Sequence, residues 1–172
     1  MTEDRKYNGC FLPLSVSLNI IIASLNQICK GFFIDKKQVL KKAQEMEQAM
    51  AIKTPNLEQL IVNLSGGNQQ KALIGRWLLT EPEVFIIDEP TRGIDVGAKS
   101  EIHKLMTNLA KQGKGIIMIS SELPEIWGMS DRIMVMREGK LTGILDAKEA
   151  SPEKILAYAT QQVSNIKTKE VS

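Results

Sequence analysis

A chain of 172 residues, 43% apolar and 24% charged, can bury one core or two small ones, and its two cysteines are too few for a disulfide framework. A net charge of +2 and only 5% aromatic residues exclude the basic surface and the stacking platform that a nucleic-acid partner requires. Cys10 and Cys29 have no ligand partners at metal spacing and read as reduced thiols of a cytosolic protein.

Thr2 to Asn8 is polar. The segment 11–33 is rich in apolar residues and follows Arg5 and Lys6, but Glu3 and Asp4 spoil a basic leader, and Pro13, Asn19, Gln27 and Lys30 interrupt the apolar run. Leu18, Ile21, Ile22, Leu25 and Ile28 instead fit one face of an amphipathic helix, expected over 15–29. Asp35, with Gln38 three residues on, has the spacing of a capping box and opens a second helix reaching about residue 51. Its Val39, Ala43, Met46 and Met50 make a core stripe, while Lys36, Lys37, Lys41 and Lys42 form a solvated face. Pro55 breaks that pattern and the chain runs into Leu64-Ser65-Gly66-Gly67-Asn68-Gln69-Gln70.

Ser65 can cap the helix that follows, and Gly66 and Gly67 leave backbone N–H groups uncovered at its positive end, which is the geometry that receives a phosphate. Beyond Pro82, the apolar run Val84-Phe85-Ile86-Ile87 has the pattern of a buried parallel strand. It ends in Asp88-Glu89, a pair that in nucleotide chemistry holds Mg²⁺ with one carboxylate and orients water with the other. Thr91 to Asp95 is a turn carrying a third carboxylate. Strands and helices then alternate: a helix over 96–112, a strand over 116–119, a short helix over 123–127, strands over 133–136 and 141–145 joined by Glu138-Gly139, and a last helix begun by Ser151-Pro152. His103, the one histidine, has no ligand partner four residues on and reads as structural or solvent-exposed. Residues 161–172 form a polar tail.

Singly, each motif has a bland reading as a turn or a solvated loop. In this order and this close together they resemble an ATP-binding cassette: 64–70 its signature motif, 84–89 its Walker B strand, Ile94-Asp95 its D-loop. LSGGNQQK, GRWLLTEPE and DEPTRGIDVGAK are similar to the second cassette of bacterial sugar importers of the galactose/methyl-galactoside or ribose type. The resemblance implies an α/β fold: the parallel-sheet core of a P-loop NTPase in part, with an α-helical signature subdomain at 1–80, the Walker B and D-loop half of the ATPase core at 81–160, and the tail at 161–172. It further implies ATP and Mg²⁺, with Ser65, Gly66, Gly67 and Gln69 contacting a γ-phosphate held by a partner cassette. Asp88 would bind Mg²⁺, Glu89 polarise water, and Asp95 couple two sites across the interface. Glu3 falls where many cassettes carry the glutamine of the Q-loop, or belongs to a charged tail. The implied partners are a first cassette of the same or a longer chain, transmembrane permease subunits docked on the helical subdomain and, indirectly, a sugar-binding protein, with the cassette peripheral on the cytoplasmic face of the membrane.

Two departures limit that reading. No G-x-x-x-x-G-K-[ST] occurs, so no loop of this sequence cradles β- and γ-phosphates in cis. Ser121 stands where family members commonly place the switch histidine. The expectation is a chain without ATPase activity of its own, either part of a longer cassette protein or a binding module that acts in trans. The head domain of a chromosome-maintenance ATPase shares LSGG and Walker B, but its heptad runs and basic surface are not found here. In the family's sheet the P-loop strand lies between 116–119 and 133–136, so these two strands are expected to close that gap or recruit another chain.

Overall fold

The computed structural model describes residues 9–30 and 33–160. Glu3 and the 161–172 tail lie outside them. The described residues form two compact units, one ending at Ile119 and the other beginning at Ser120.

In the first unit, α1 (Val16–Ile21) starts at Ser15, whose side chain accepts from Leu18 N. It is shorter than the periodicity predicts. After Ile21 the chain tightens into a 3-10 segment, Ile22–Gln27, in which Ser24 leaves helical geometry at φ −114°, ψ 17°. The Ser24 hydroxyl donates to the Ile21 carbonyl, three residues back, and competes with the helical ladder there. A short antiparallel pair follows, β1 (Cys29–Lys30) with β2 (Phe33–Ile34). Helix α2 (Lys36–Ala49) begins at Asp35, whose carboxylate accepts from Lys37 N and Gln38 N, the first half of the expected capping box. Val39 and Ala43 are its buried residues.

Helix α3 (Gly66–Leu78) packs against α1, α2 and α4 (Val96–Lys111), and this holds helices and strands in one unit. Its inward residues include Gln69, Lys71 and Arg76 as well as Ala72, Leu73 and Ile74. Arg76 is bound by neutral acceptors: Nε donates to Asn19 O at 2.6 Å, one terminal nitrogen to Gly9 O at 2.7 Å, the other to Asn19 Oδ1 at 2.9 Å. The guanidinium also sits 5.4 Å from the centre of the Phe11 ring. Burial lowers the Arg76 pKa.

Strand β3 (Val84–Asp88) pairs in parallel with β4 (Gly115–Ile119), Ile86 opposite Ile117 and Asp88 opposite Ile119. Phe85 and Ile87 are buried, whereas Val84, Ile86, Ile117 and Ile119 are exposed. In the second unit, α5 (Leu123–Met129) precedes the antiparallel hairpin β5 (Arg132–Arg137) with β6 (Lys140–Asp146), and α6 (Pro152–Thr160) closes the core of Ile133, Val135, Ala147, Ala150 and Ile155. Gly143 allows this closure, since a Cβ there would lie 2.6 Å from the Tyr158 ring. Each of the three sheets among the described residues has two strands. No helix of the described residues is long and apolar enough to cross a membrane.

Candidate functional site

Two helix starts meet round one cavity. Ser65 is the N-cap of α3, its hydroxyl facing Asn68 N, and Asp95 is the N-cap of α4, its carboxylate accepting from Ala98 N at 2.9 Å. Both caps leave neighbouring N–H groups at the positive end of a helix dipole. Between them lies a cavity of about 320 Å³ lined by Lys53, Ser65, Gly67, Asn68, Asp95, Gly97, Ala98 and Glu101. Ser65 and Asp95, thirty residues apart in sequence, therefore border one polar concavity, which the carboxylates of Asp95 and Glu101 and the ammonium of Lys53 also line.

The two glycines serve different ends. Gly67 is buried, and a Cβ there would come 2.6 Å from the Cβ of Ala98, so its missing side chain is what lets α3 and α4 approach. Gly66 is half-buried beside it. Gln69 does not line the cavity. It is buried with 4% exposure, and its Nε2 donates to the carbonyls of Ile61 and Leu64, bracing the loop that precedes the motif. One residue along a helix turns the side chain by about 100°, and Asn68, rather than Gln69, lines the cavity. Asn68 was missed, although it occupies the motif itself. Its Nδ2 donates to Ser65 Oγ at 3.0 Å and its Oδ1 accepts from Lys53 N at 2.9 Å.

Asp88 and Glu89 stand at the end of β3, both half-buried. Glu89 N donates to Ile119 O at 2.8 Å, which extends the ladder by one residue, and Glu89 itself takes a left-handed φ of 47°. A non-glycine residue in that region stores on the order of 1 kcal/mol or more of backbone strain, a condition found at functional sites. Ser121 is exposed. Its neighbour Ser120 donates to Glu125 Oε2 at 2.6 Å and accepts from Glu122 N, which shapes the loop after β4. His103 is half-buried on α4.

Lys71 and Glu101 were not anticipated. The Lys71 ammonium, inside α3, donates to Glu101 Oε2 at 2.7 Å and to Ala51 O at 2.9 Å, and Lys53 approaches the other Glu101 oxygen at 3.4 Å. The hydrogen bond and charge of Lys71, then those of Lys53, hold the Glu101 carboxyl below its usual range. The one local signal was a lysine embedded in a helix that is otherwise turned inward.

Residues 8–92 match the family described as ABC transporter. The chain is 57% identical over 162 residues to a Hahella chejuensis protein named for ribose/galactose/methyl galactoside import and ATP binding, spanning 94% of this chain and 32% of that one. A Geobacillus kaustophilus protein of the same name is 54% identical over 97% of this chain and 33% of its own length. The chain thus spans about a third of the curated relatives it matches. Among solved structures, the ATP-binding cassette MJ1267 of an ABC transporter superposes with a TM-score of 0.70 at 22% identity, covering 84% of this chain and 62% of its own. The ATP-binding cassette MJ0796, in a dimeric post-hydrolysis state bound to ADP and phosphate, gives 0.65 at 21% identity over 80% and 58%. Residues 8–92 are thus similar in sequence to the ABC transporter family, and the chain shares the α/β fold of these ATP-binding cassettes.

Proposed function

We propose that this chain is the C-terminal part of the second cassette of an ATP-driven importer for ribose, galactose or methyl galactoside. On this reading it supplies its signature and D-loop to an ATP sandwich completed by a P-loop-bearing first cassette. The observation that carries the proposal is the shared cavity of Ser65, Gly67, Asn68 and Asp95 at two helix N-termini. Ser65 and the N–H groups of Gly66 and Gly67 would meet the γ-phosphate of a nucleotide held by the partner, and Asp95 would relay its position across the interface. Asp88 would hold Mg²⁺ together with phosphate oxygens, the ion neutralising charge that develops on them. Glu89 would orient water. The exposed apolar face of β3 and β4 is in keeping with a chain that belongs to a longer cassette.

The helices of 11–80 would dock on transmembrane permease subunits at the cytoplasmic face of the membrane, and a sugar-binding protein would act through that permease. Ser121 in the switch position favours a second reading, a non-catalytic module that lends its signature to a partner in trans. Both readings give this chain no turnover of its own.

The test mixes the purified chain with a P-loop-bearing first cassette of this importer type. The chain alone is expected to hydrolyse no ATP, the mixture to exceed the partner's basal rate, and Ser65→Arg to reduce that stimulation by about tenfold or more. Robust turnover by the chain alone, abolished by Glu89→Gln, would overturn the proposal.

A further inference from the structure

Ser65 and Lys71 are six residues apart on α3, and Asp95 and Glu101 are six apart on α4. The Lys71–Glu101 bond therefore ties the two helices at matched depth, about 9 Å along each axis from its cap. Gly67 against Ala98 sets the closest approach between that bond and the caps. A second path returns to the loop: Glu101 faces Lys53, whose N–H is held by Asn68, which in turn holds the Ser65 hydroxyl. Lys71 is 3% exposed and, among the described residues, has Glu101 and the Ala51 carbonyl as its partners. Apolar packing between the helices, such as Gly67 against Ala98, limits rotation about their axes. A charge-assisted bond of 2.7 Å is directional and fixes it.

We propose that Lys71 and Glu101 are positioning residues, a latch that keeps the signature loop and the start of the D-loop helix in one register so that both face a single phosphate group. This rests on the reading of those two loops as the nucleotide-facing part of the chain. The latch acts through the caps, with Glu101 also bordering the cavity between them.

Hydrogen exchange by mass spectrometry on the full chain tests it, using Glu101→Gln and the double variant Lys71→Met/Glu101→Leu. The double variant leaves no buried charge without a partner, so its urea midpoint should return toward that of the unaltered chain. The amides of Asn68, Gln69, Ala98 and Lys99 should nevertheless exchange about tenfold faster together, while α2 and the β5–β6 hairpin keep their protection. Stimulation of the P-loop partner should fall about tenfold in kcat with little change in KM. A purely structural ion pair predicts that the double variant regains both protection and stimulation, and that result overturns the proposal. So does faster exchange at one helix start alone, or an even loss across the whole chain. If the unaltered chain stimulates no partner, the proposed function falls, and the exchange pattern still decides the latch.

Discussion

Helix α3 and the β3–β4 pair stand side by side in the chain and meet opposite fates. The helix satisfies its interior backbone groups within itself, and three inward polar side chains reach partners elsewhere: Gln69 Nε2 at Ile61 and Leu64, Lys71 at Ala51 and Glu101, Arg76 at Gly9 and Asn19, with Gln69 Oε1 left without one among the described residues. The strand pair satisfies one edge of each strand, and only one of its faces is packed. Phe85 and Ile87 point inward, while Val84, Ile86, Ile117 and Ile119 present an apolar surface to water. A helix is complete when one stripe is covered; a parallel strand pair needs further strands at its edges and cover on both faces. The start of α3 is thus packed on several sides, whereas the β3–β4 pair leaves one apolar face exposed.

The largest effect should come from breaking the self-sufficient side at its most committed contact. Asn19 is fully buried; it bonds the main chain of Phe11, Leu14 and Ser15 and accepts from Arg76. Asn19→Leu leaves a buried guanidinium short of one acceptor and several main-chain groups short of partners, for a loss of about 3–5 kcal/mol. Urea unfolding followed by the fluorescence of Trp77, which lies in α3, would measure it. A loss within about 0.5 kcal/mol would mean that α3 is held by its apolar stripe alone.

A smaller effect tests the same side by pH. The folded Glu101 carboxyl titrates below its unfolded value because Lys71, then Lys53, favours the ionised form. Its contribution is therefore fully present above the ordinary glutamate value of about 4.3 and is lost as pH falls through the lower folded value. Acidification through that window should lower the Trp77 urea midpoint more steeply in the unaltered chain than in Lys71→Met/Glu101→Leu, which has no carboxylate there to titrate. Parallel curves would assign the acid sensitivity to other groups.

Much of this was legible because it is local. Asp35, Ser65 and Ser151 each cap the helix that follows, as their spacing predicts, and a cap needs only its own next three residues; the cap at Asp95 was not foreseen. The motifs of the site were legible for the same reason. The long-range pairings were not: Arg76 with Asn19 spans 57 residues and Lys71 with Glu101 spans 30, and hydrophobic periodicity has no term for either. Ser24 ended α1 early by bonding backward, a choice that an apolar stripe running on to Ile28 conceals. The second part Gly67 plays, letting α3 approach Ala98, is visible only in the fold.

The smallest effect sharpens the contrast within one strand. Ile86 and Ile87 are adjacent and chemically identical, yet Ile87 is fully buried and Ile86 is 56% exposed, because successive side chains on a strand point to opposite faces. Ile87→Val should cost about 1 kcal/mol through the lost methylene. Ile86→Ser should stay within about 0.5 kcal/mol of the unaltered chain, though it removes far more apolar volume. If the second face is an interface for the rest of a cassette, the order reverses in the longer protein. There Ile86→Ser would bury an unpaired hydroxyl and become the more damaging change. Measuring both variants in both lengths separates the two cases. Equal, small effects of Ile86→Ser in the short and the long protein would mean that this apolar face stays open to water even in the complete subunit.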